Sequence, residues 1–265
     1  MLTTKSFFNL EGCMHRELFA QGYVWETLKL LKPYMNDYAY PALKGPGLVW
    51  GQPLPETLIY IAGEIIPATG MQIDCGDATR GKLAIYKDGR QLPGASLIMA
   101  GVVLAGPDIA IGKGVLLESG AMLKTPTIIG DYTEVRQGAY IRGYCLAGKR
   151  CVIGHTTEVK HTVFLDDAKA GHFAYLGDSI LGNRVNLGAG TKMANLRFTG
   201  GEVPVRTLEG TISTGLRKLG AIMGDDVQTG CNSVTNPGTL LGKKSMLMPN
   251  TTSKSGYHPP NSLLR

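Results

Sequence analysis

The apolar residues in the middle of this chain recur at every sixth position. A spacing of six fits neither the period of about 3.6 residues of an amphipathic helix nor the two-residue alternation of a single strand. It is instead the mark of an internal repeat. Ten consecutive positions follow it without a single charge: Ile111, Leu117, Leu123, Ile129, Val135, Ile141, Ala147, Ile153, Val159 and Leu165. A second series follows at Leu181, Leu187 and Met193.

This repeat predicts a solenoid of short strands. One inward aliphatic residue in each hexad, followed by a small residue at a corner, gives a prism with three flat sides and eighteen residues in each coil. Successive coils pair their backbones at about 4.8 Å. Glycine directly follows Ile111, Ile129 and Ile153, as expected at corners with positive φ or close backbone approach. We therefore predict an all-β fold, a single-stranded parallel β-helix.

The N-terminal segment, residues 1–52, does not follow the repeat. Apolar residues between Leu18 and Leu31 predict one amphipathic helix that ends at Pro33. A strap rich in proline, glycine and tyrosine follows it. We expect this helical extension to cap the open end of the solenoid, because terminal coils need covering.

The β-helix itself is predicted over residues 53–250. Its hexads are weak before residue 107, and they stop at 197–220, where paired glycines and alternating valines predict a hairpin or arm. Residues 251–265 contain two adjacent prolines, and we expect an extended, partly disordered C-terminal tail.

The repeat breaks between Leu165 and Leu181, which are sixteen residues apart. A break in such a regular core costs packing, so it is a place where function is expected to override the local rules. His172 lies inside this interval, and we expect its imidazole to project from the backbone. The alternative is an ordinary surface histidine on a loop.

Two basic residues are spaced by one full coil. Arg142 and Lys160 are eighteen residues apart, and each directly follows an inward aliphatic residue. They should therefore occupy the same corner of successive coils, where two cations repel unless an anion joins them. Phosphate suits this pair, because arginine offers a bidentate fork and lysine a point charge. The alternative is two solvated side chains directed apart. Arg136 is a weaker candidate, since it belongs to a different corner.

Composition favours small anionic ligands. The net charge of +6 and a pI near 9 suit phosphorylated molecules, but no long Lys/Arg run points to nucleic acid. No apolar run approaches eighteen residues, and no signal-peptide pattern opens the chain. The five cysteines include no CxxC pair. We therefore expect a reduced cytoplasmic protein without a membrane segment.

Several stretches resemble a known family. They are GluValLys at 158–160, LysAlaGlyHisPheAlaTyrLeuGlyAsp at 169–178, ValAsnLeuGlyAlaGlyThr at 185–191 and ThrLysMetAlaAsn at 191–195. Over about residues 110–250 the chain resembles the acetyltransferase domain of the bifunctional N-acetylglucosamine-1-phosphate uridyltransferase family, a left-handed hexapeptide-repeat β-helix. The phosphate loop of that family's nucleotidyltransferase domain is missing, so nucleotidyl transfer is not predicted.

The resemblance implies transfer of an acetyl group from acetyl-CoA to the amine of glucosamine 1-phosphate or galactosamine 1-phosphate. The general base matches His172, and an imidazole, with an ordinary pKa of about 6.5, suits that role. The other matches are Arg142 and Lys160 for the phosphate, Tyr175 and Asn186 for the substrate, Asn195 near the amine, Lys218 as a further substrate residue and Cys231 beside acetyl-CoA.

The resemblance also implies assembly. Members of the family are homotrimers with active sites between subunits, so the arm at 197–220 is expected to reach a neighbour's His172. Two local departures affect the substrate rather than the reaction type. The family's ArgProGly is Arg142–Gly143–Tyr144 here, and a polar patch after the second asparagine is Leu196–Arg197–Phe198.

Other functions stay open at this point. Covalent catalysis by cysteine is disfavoured, because Cys145 and Cys151 flank equivalent corners and look structural. A zinc enzyme of the γ-carbonic anhydrase type is suggested by His155, His161 and His172. A third alternative is a non-catalytic scaffold that binds a sugar phosphate or a nucleotide sugar.

Overall fold

The computed structural model describes residues 2–19 and 22–265. Ala20 and Gln21, which fall within the predicted N-terminal helix, lie outside the described residues. In the described part of the chain, short β-strands dominate, and the helical elements are concentrated at the N-terminal end. The helical elements there are α1 (Thr4–Phe7), a 3₁₀ turn (Arg16–Leu18) and α2 (Glu26–Asp37).

Helix α2 is longer than predicted at its C-terminal end. It runs through Pro33 and ends at Asp37, so the prediction that Pro33 ends the helix is wrong. Proline removes one helical hydrogen bond, but tertiary packing of an apolar face supplies most helical stability in proteins. Here Leu28, Leu31 and Met35 are all fully buried on that face.

Residues 58–91 form two antiparallel units rather than irregular coils. The first is a hairpin whose outer edge continues into the solenoid through β1. The second is a three-stranded sheet with a 3₁₀ turn at Ala78–Arg80. The strands are β1 (Leu58–Ile61), β2 (Glu64–Pro67), β3 (Gln72–Cys75), β4 (Leu83–Lys87) and β5 (Arg90–Gln91).

The parallel solenoid begins at Ser96. Its first strands are β6 (Ser96–Ile98), β7 (Val103–Leu104), β8 (Ile109–Ile111), β9 (Leu116–Leu117), β10 (Met122–Leu123), β11 (Thr127–Ile129), β12 (Glu134–Val135), β13 (Tyr140–Ile141), β14 (Cys145–Ala147), β15 (Val152–His155), β16 (Glu158–Phe164), β17 (Lys169–His172) and β18 (Tyr175–Leu181). The later strands are β19 (Asn186–Leu187), β20 (Lys192–Met193), β21 (Val205–Thr207), β22 (Gly210–Ile212), β23 (Ala221–Met223), β24 (Gln228–Thr229), β25 (Val234–Thr235), β26 (Thr239–Leu241), β27 (Met246–Leu247), β28 (Thr252–Ser253), β29 (Gly256–His258) and β30 (Leu263–Leu264).

These strands form three flat sides. Side 1 contains β6, β9, β12, β15, β17, β19, β24, β27 and β30. Side 2 contains β7, β10, β13, the first parts of β16 and β18, β20, β25 and β28. Side 3 contains β8, β11, β14, the second parts of β16 and β18, β23, β26 and β29. Corner A joins sides 1 and 2, corner B joins sides 2 and 3, and corner C joins sides 3 and 1. The predicted all-β class and parallel β-helix are confirmed.

The repeat shortens at corner B. Tyr140 pairs with Glu158, eighteen residues later, but Glu158 pairs with Tyr175, only seventeen residues later. The missing residue is in the corner. Corner B has three residues, 142–144, in one coil but only two in the next two coils, 160–161 and 177–178. Strands β16 and β18 therefore run through corner B without interruption.

The break in the repeat therefore lies at corner B rather than around His172 as predicted. Phe164 rather than Leu165 occupies the interior position, and Leu165 packs on the outside of side 3. The other inward residues of both predicted series lie in the solenoid core. His172 is therefore on the regular strand β17 at the end of side 1, and the prediction that it sits in the break is wrong. The two shortened corners hold His161 and Asp178 instead.

The helical part of the N-terminal extension covers side 3, and the strap that follows it covers the open end of the solenoid. Side 3 carries a continuous column of outward apolar residues that pack against it: Ala110, Ile128, Leu146, Val163, Ile180, Ile222 and Leu240. The partners from the extension include Trp25, Leu28 and Leu31, all of them fully buried. The predicted end cap is present in the strap, where Leu43 and Leu54 join the solenoid core and Gly51 N donates to the carbonyl of Leu104 in the first coil. The helices add a cover over the apolar outer face of side 3, which the sequence analysis did not predict.

Shortening one residue of this interface tests the packing. Ile128→Val is expected to lower the free energy of unfolding by about 0.5–1.5 kcal/mol, because a buried methylene is lost. Urea denaturation measures the change. Val49→Ala, at a site that is 36% exposed, is the control and should have little effect. Equal midpoints for wild type and Ile128→Val would contradict the described packing.

The arm and the C-terminal residues both return to the solenoid. β21 and β22 form an antiparallel hairpin within the 197–220 excursion, and coil pairing resumes on side 3, where Ile180 pairs with Ile222. The expected C-terminal tail is corrected, because β28, β29 and β30 pair in register with β25, β26 and β27. In the described residues, no helix has the length and apolar character needed to cross a membrane.

Candidate functional site

A column of basic residues follows corner B. Ile141 pairs with Val159 in the next coil, and each is followed directly by a basic residue. The predicted stacking of Arg142 on Lys160 is therefore present. The same register places Lys124 one coil before Arg142 and Gly177 one coil after Lys160. The sequence analysis missed Lys124, although its spacing of eighteen residues from Arg142 is the same signal.

The charges at corner B are only partly neutralised. Arg142 donates to Glu158 at 2.7 Å between Nη1 and Oε1, and this hydrogen bond raises the pKa of Arg142. Lys160 lies close to Lys218 and Asp178. Its pKa is lowered mainly by burial; the negative charge of Asp178 opposes this shift, and the positive charges of Lys218 and Arg142 add to it. A bound anion would relieve this repulsion between cations.

Tyr175 and Asn195 line the same corner around Gly177. A methyl group on Gly177 would stand 2.5 Å from Asn195 Nδ2 and 2.7 Å from Tyr175 Oη, so both side chains close over this glycine. Burial raises the pKa of Tyr175, and the nearby carboxylates Glu158 and Asp178 add to that shift. The corner therefore combines three cations, a protonated phenol and a carboxamide in one place.

Gly177→Ala probes this arrangement. The added methyl group forces Asn195 and Tyr175 to move, and a displacement below 1 Å should cost about tenfold in kcat/KM for the reaction proposed below, against up to 10²-fold for a larger shift. Steady-state kinetics check it. Gly106→Ala, whose methyl group would meet Thr125 Cγ2 at 3.0 Å in the first coils of corner B, well before Gly177 along the column, is the control. Unchanged kcat/KM in Gly177→Ala would show that the corner is not used.

Below the basic column lies a buried imidazole–carboxylate pair. His161 Nδ1 and Asp178 Oδ1 are 2.9 Å apart, and Asp178 Oδ2 accepts a hydrogen bond from Asn195 Nδ2. Burial alone would raise the pKa of Asp178, but hydrogen bonds from His161 and Asn195 and the charges of His161 and Lys160 hold it below its ordinary value. Sequence reasoning missed this pair because its spacing is seventeen, the coil length set by the shortened corners.

A second group of predicted residues lies on side 1. His172, Asn186 and Cys231 line a cavity of about 370 Å³, together with Arg136 and Lys169. His172, Asn186 and Cys231 are all exposed, as a substrate-accessible role requires. Arg136 is not a free cation, because it donates two hydrogen bonds to Glu134 at 2.8 and 2.9 Å.

The two groups are separate within one chain. His172 ends side 1, whereas Gly177 begins corner B five residues later. Side 2 lies between them, since its strand β18 begins at Tyr175. The structure thus brings together Arg142, Lys160, Tyr175, Asn195 and Lys218 at corner B. It brings together His172, Asn186 and Cys231 on side 1.

The histidines do not converge in the way that a zinc site needs. His155 and His172 are backbone partners in adjacent coils of side 1, whereas His161 is at corner B with its Nδ1 engaged by Asp178. Within residues 2–19 and 22–265, no three His, Cys, Asp or Glu side chains lie close enough together to hold a metal ion. This placement removes the geometric support for the carbonic-anhydrase alternative.

Two cysteines suggested as nucleophiles are unsuited to that role. Cys145 and Cys151 are buried, and burial raises the pKa of each thiol to about 12. A nucleophilic cysteine needs a thiolate and access to substrate. Both residues are therefore structural.

Comparison with known proteins defines the class. The family described as the GMPPB C-terminal domain matches residues 123–255, which include corner B and most of the solenoid. The chain belongs to this family. Its left-handed sense remains the prediction that came from the resemblance.

Individual relatives are similar to parts of the chain. A bifunctional sugar-1-phosphate nucleotidylyltransferase/acetyltransferase from Sulfurisphaera tokodaii is 38% identical over 54% of this chain and 37% of its own length. The bifunctional protein GlmU from Methanocaldococcus jannaschii is 39% identical over 39% of this chain and 25% of its own length. The chain thus spans about a quarter to just over a third of these relatives.

A solved structure, the UDP-N-acetylglucosamine acyltransferase from Arabidopsis, is also similar. It has 14% identity and a TM-score of 0.37, and the match covers 62% of this chain and 65% of that one. The architecture described above rests on the strand pairing of the present chain.

Proposed function

We propose that this protein is an N-acetyltransferase that moves an acetyl group from acetyl-CoA to the amine of an amino-sugar phosphate, glucosamine 1-phosphate or galactosamine 1-phosphate. The observation that carries the proposal is the cluster of Arg142, Lys160 and Lys218 beside Tyr175 and Asn195. The name of the Sulfurisphaera relative, a bifunctional sugar-1-phosphate nucleotidylyltransferase/acetyltransferase, supports it.

The cations provide the phosphate site. Lys160 and Lys218 adjoin each other, and Arg142 adds a planar fork whose present partner, Glu158, is itself exposed to solvent. A phosphate dianion offers more acceptor oxygens than one carboxylate does, so it can bind all three cations at once. Binding there fixes the sugar, and such orientation supplies a large part of the rate enhancement in two-substrate reactions.

His172 is the proposed general base. The amine nitrogen attacks the thioester carbonyl, the C–N bond forms, and His172 accepts the amine proton as the tetrahedral intermediate develops. Collapse of that intermediate breaks the C–S bond, and the CoA thiolate leaves and takes up a proton. No enzyme side chain becomes acylated, consistent with the burial of Cys145 and Cys151. Cys231 and Asn186 share the cavity of His172, so this side is the proposed position of acetyl-CoA.

Separation of the two groups supports a site between subunits. One chain keeps His172 and corner B on either side of side 2, so we propose a homotrimer in which corner B of one subunit faces His172 of the next. The arm offers a surface for such a contact, because Phe198 and Leu208 are fully exposed and Leu196 is 47% exposed. Side 3 is already covered by the N-terminal extension, which leaves sides 1 and 2 for a neighbour.

A non-catalytic scaffold is the second candidate. One observation favours it: the proposed phosphate ligands Arg142, Lys160 and Lys218 lie together within one chain, without His172. Such a protein would bind the sugar phosphate at corner B but would release no CoA.

A CoA-release assay separates the two. Purified protein is supplied with acetyl-CoA and either glucosamine 1-phosphate or galactosamine 1-phosphate, and free thiol is measured while calorimetry records sugar-phosphate binding. Thiol release that depends on the sugar phosphate supports the acetyltransferase. Binding without thiol release rejects it and supports the scaffold.

A further inference from the structure

Three polar side chains form a column directly beneath the proposed amine site. His161, Asp178 and Asn195 come from three successive coils, each seventeen residues from the last. His161 bonds one oxygen of the Asp178 carboxylate, and Asn195 Nδ2 bonds the other. A carboxylate only accepts hydrogen bonds, so the His161 nitrogen that faces it carries the proton.

Two members of the column lie at corners and are largely buried. Asp178 and His161 have φ values of 50° and 47°, the left-handed region that non-glycine residues rarely adopt. Their side chains are only 10% and 12% exposed. The same backbone conformation recurs at other corners, for example at Tyr144 (51°) and Thr156 (51°), so what distinguishes His161 and Asp178 is the burial of their paired polar groups.

The carboxylate decides which way the Asn195 carboxamide faces. Because Asp178 accepts only, Asn195 must present its NH₂ group to it, and this fixes the amide oxygen on the opposite branch of the carboxamide. In residues 2–19 and 22–265 that oxygen has no hydrogen-bond partner. Asn195 Nδ2 is the carboxamide atom nearest to Gly177, so the oxygen lies on the branch farther from that glycine, where it is free to accept a hydrogen bond from a ligand.

The same column also binds the end of the arm, where the chain rejoins the solenoid. The backbone carbonyl of Asp178 accepts from Gly220 N at 2.9 Å, and that of Asn195 accepts from Leu219 N at 3.0 Å. These two bonds anchor the residues that directly follow Lys218. The orientation of Asn195 and the location of Lys218 are therefore set together.

We propose that Asp178, held by His161, is a positioning residue that fixes Asn195 with its amide oxygen toward the amine of the substrate. An amine N–H that donates to this oxygen has its lone pair directed toward the acetyl carbonyl. The inference rests on the proposed acetyl transfer, since it names what orients the nucleophile at that site. Neither His161 nor Asp178 touches the substrate.

Asp178→Asn tests the role. Asparagine tolerates the left-handed backbone and matches aspartate in size, but it can present either an oxygen or an NH₂ group to Asn195, so the single orientation is lost. We expect kcat to fall about tenfold, because a misplaced group costs up to 10²-fold, with KM for the sugar phosphate little changed. A purely structural role would lower the melting temperature without this split between kcat and KM.

Asp225→Asn is the matched control. Asp225 is 3% exposed and accepts from an asparagine carboxamide, Asn183 Nδ2, at 2.9 Å, but it lies at corner C. We expect it to lower stability and leave kcat unchanged. His161→Asn is the second variant; it tolerates the same backbone, cannot span the distance to Asp178 as the imidazole does, and should lower kcat in the same direction.

A readout without turnover comes from the side-chain NH₂ signals of Asn195 in NMR spectra. In wild type they should stay constant as pH falls through about 4, the ordinary range of an aspartate, because the folded-state pKa of Asp178 lies lower. Compared with wild type, the Asn195 NH₂ signals should have different chemical shifts in Asp178→Asn and the same chemical shifts in Asp225→Asn. Unshifted Asn195 signals, or an unchanged kcat in Asp178→Asn, overturn the positioning role. Absence of turnover in wild type overturns the proposed function instead, so the two failures are distinct.

Discussion

Replacement of His172 by alanine is expected to lower kcat for acetyl transfer by about 10²–10⁴-fold, the range that a general base contributes. Sugar-phosphate binding should persist, because corner B keeps Arg142, Lys160 and Lys218. The protein should also fold normally, since His172 is exposed at the end of β17 and no buried contact depends on its ring. Thiol release and calorimetry on the same preparation measure both quantities.

His155→Ala is the matched control for this variant. His155 is the backbone partner of His172 in the preceding coil, and its Nδ1 contacts the carbonyl of Gln137 at 3.0 Å. It has no role in the proposed chemistry, so its activity should equal that of wild type. Equal turnover in His172→Ala and wild type would remove His172 from the mechanism.

Replacement of Lys160 by glutamine is expected to raise KM for the sugar phosphate by about 10–100-fold, because a hydrogen bond to a charged group contributes roughly 1.5–3 kcal/mol. The amide keeps the length of the side chain close to that of lysine but removes the charge. The acetyl-CoA dependence should not change, since Lys160 lies at corner B and not in the cavity that contains Cys231.

Lys113→Gln controls for the loss of one positive charge. Lys113 is exposed at corner C, where its backbone N–H donates to Asp131, and its loss should leave KM unchanged. If both variants raise KM equally, a general field effect rather than a phosphate site explains the result.

The His172→Ala and Lys160→Gln variants together test whether the site lies between subunits. Co-expressed His172→Ala and Lys160→Gln chains can form mixed trimers in which some sites pair an intact His172 with an intact Lys160 from another chain. Activity above that of either variant alone supports a shared site. No recovery in verified mixed oligomers would place both residues in one chain's site.

Much of the fold was predictable because inward positions of a β-helix depend on local spacing. The series from Ile111 to Val159 entered the core as predicted, and the eighteen-residue spacing put Arg142 beside Lys160. Coil pairing converts sequence spacing directly into spatial neighbourhood. The same rule applied once more would have found Lys124.

The wrong predictions share a cause. A single sequence does not reveal where a coil is one residue shorter or which surfaces pack against each other. Leu165 continued the count of six, but Phe164 took the interior position after the corner lost a residue. Pro33 suggested a helix end, but burial of α2 on side 3 carried the helix to Asp37. Side 3 and the N-terminal extension pack through contacts between residues far apart in the sequence, which the repeat spacing does not predict.

The sequence by itself determined the parallel coils and the stacked cations of corner B, because both follow from a fixed number of residues in each turn. Only the tertiary structure decided that His172 stands on side 1, away from that corner, and that His161, Asp178 and Asn195 meet at hydrogen-bonding distance. Those outcomes depend on where single residues drop out of the corners and on which outer face the N-terminal extension buries. Both are settled by packing across many coils rather than by the pattern within one.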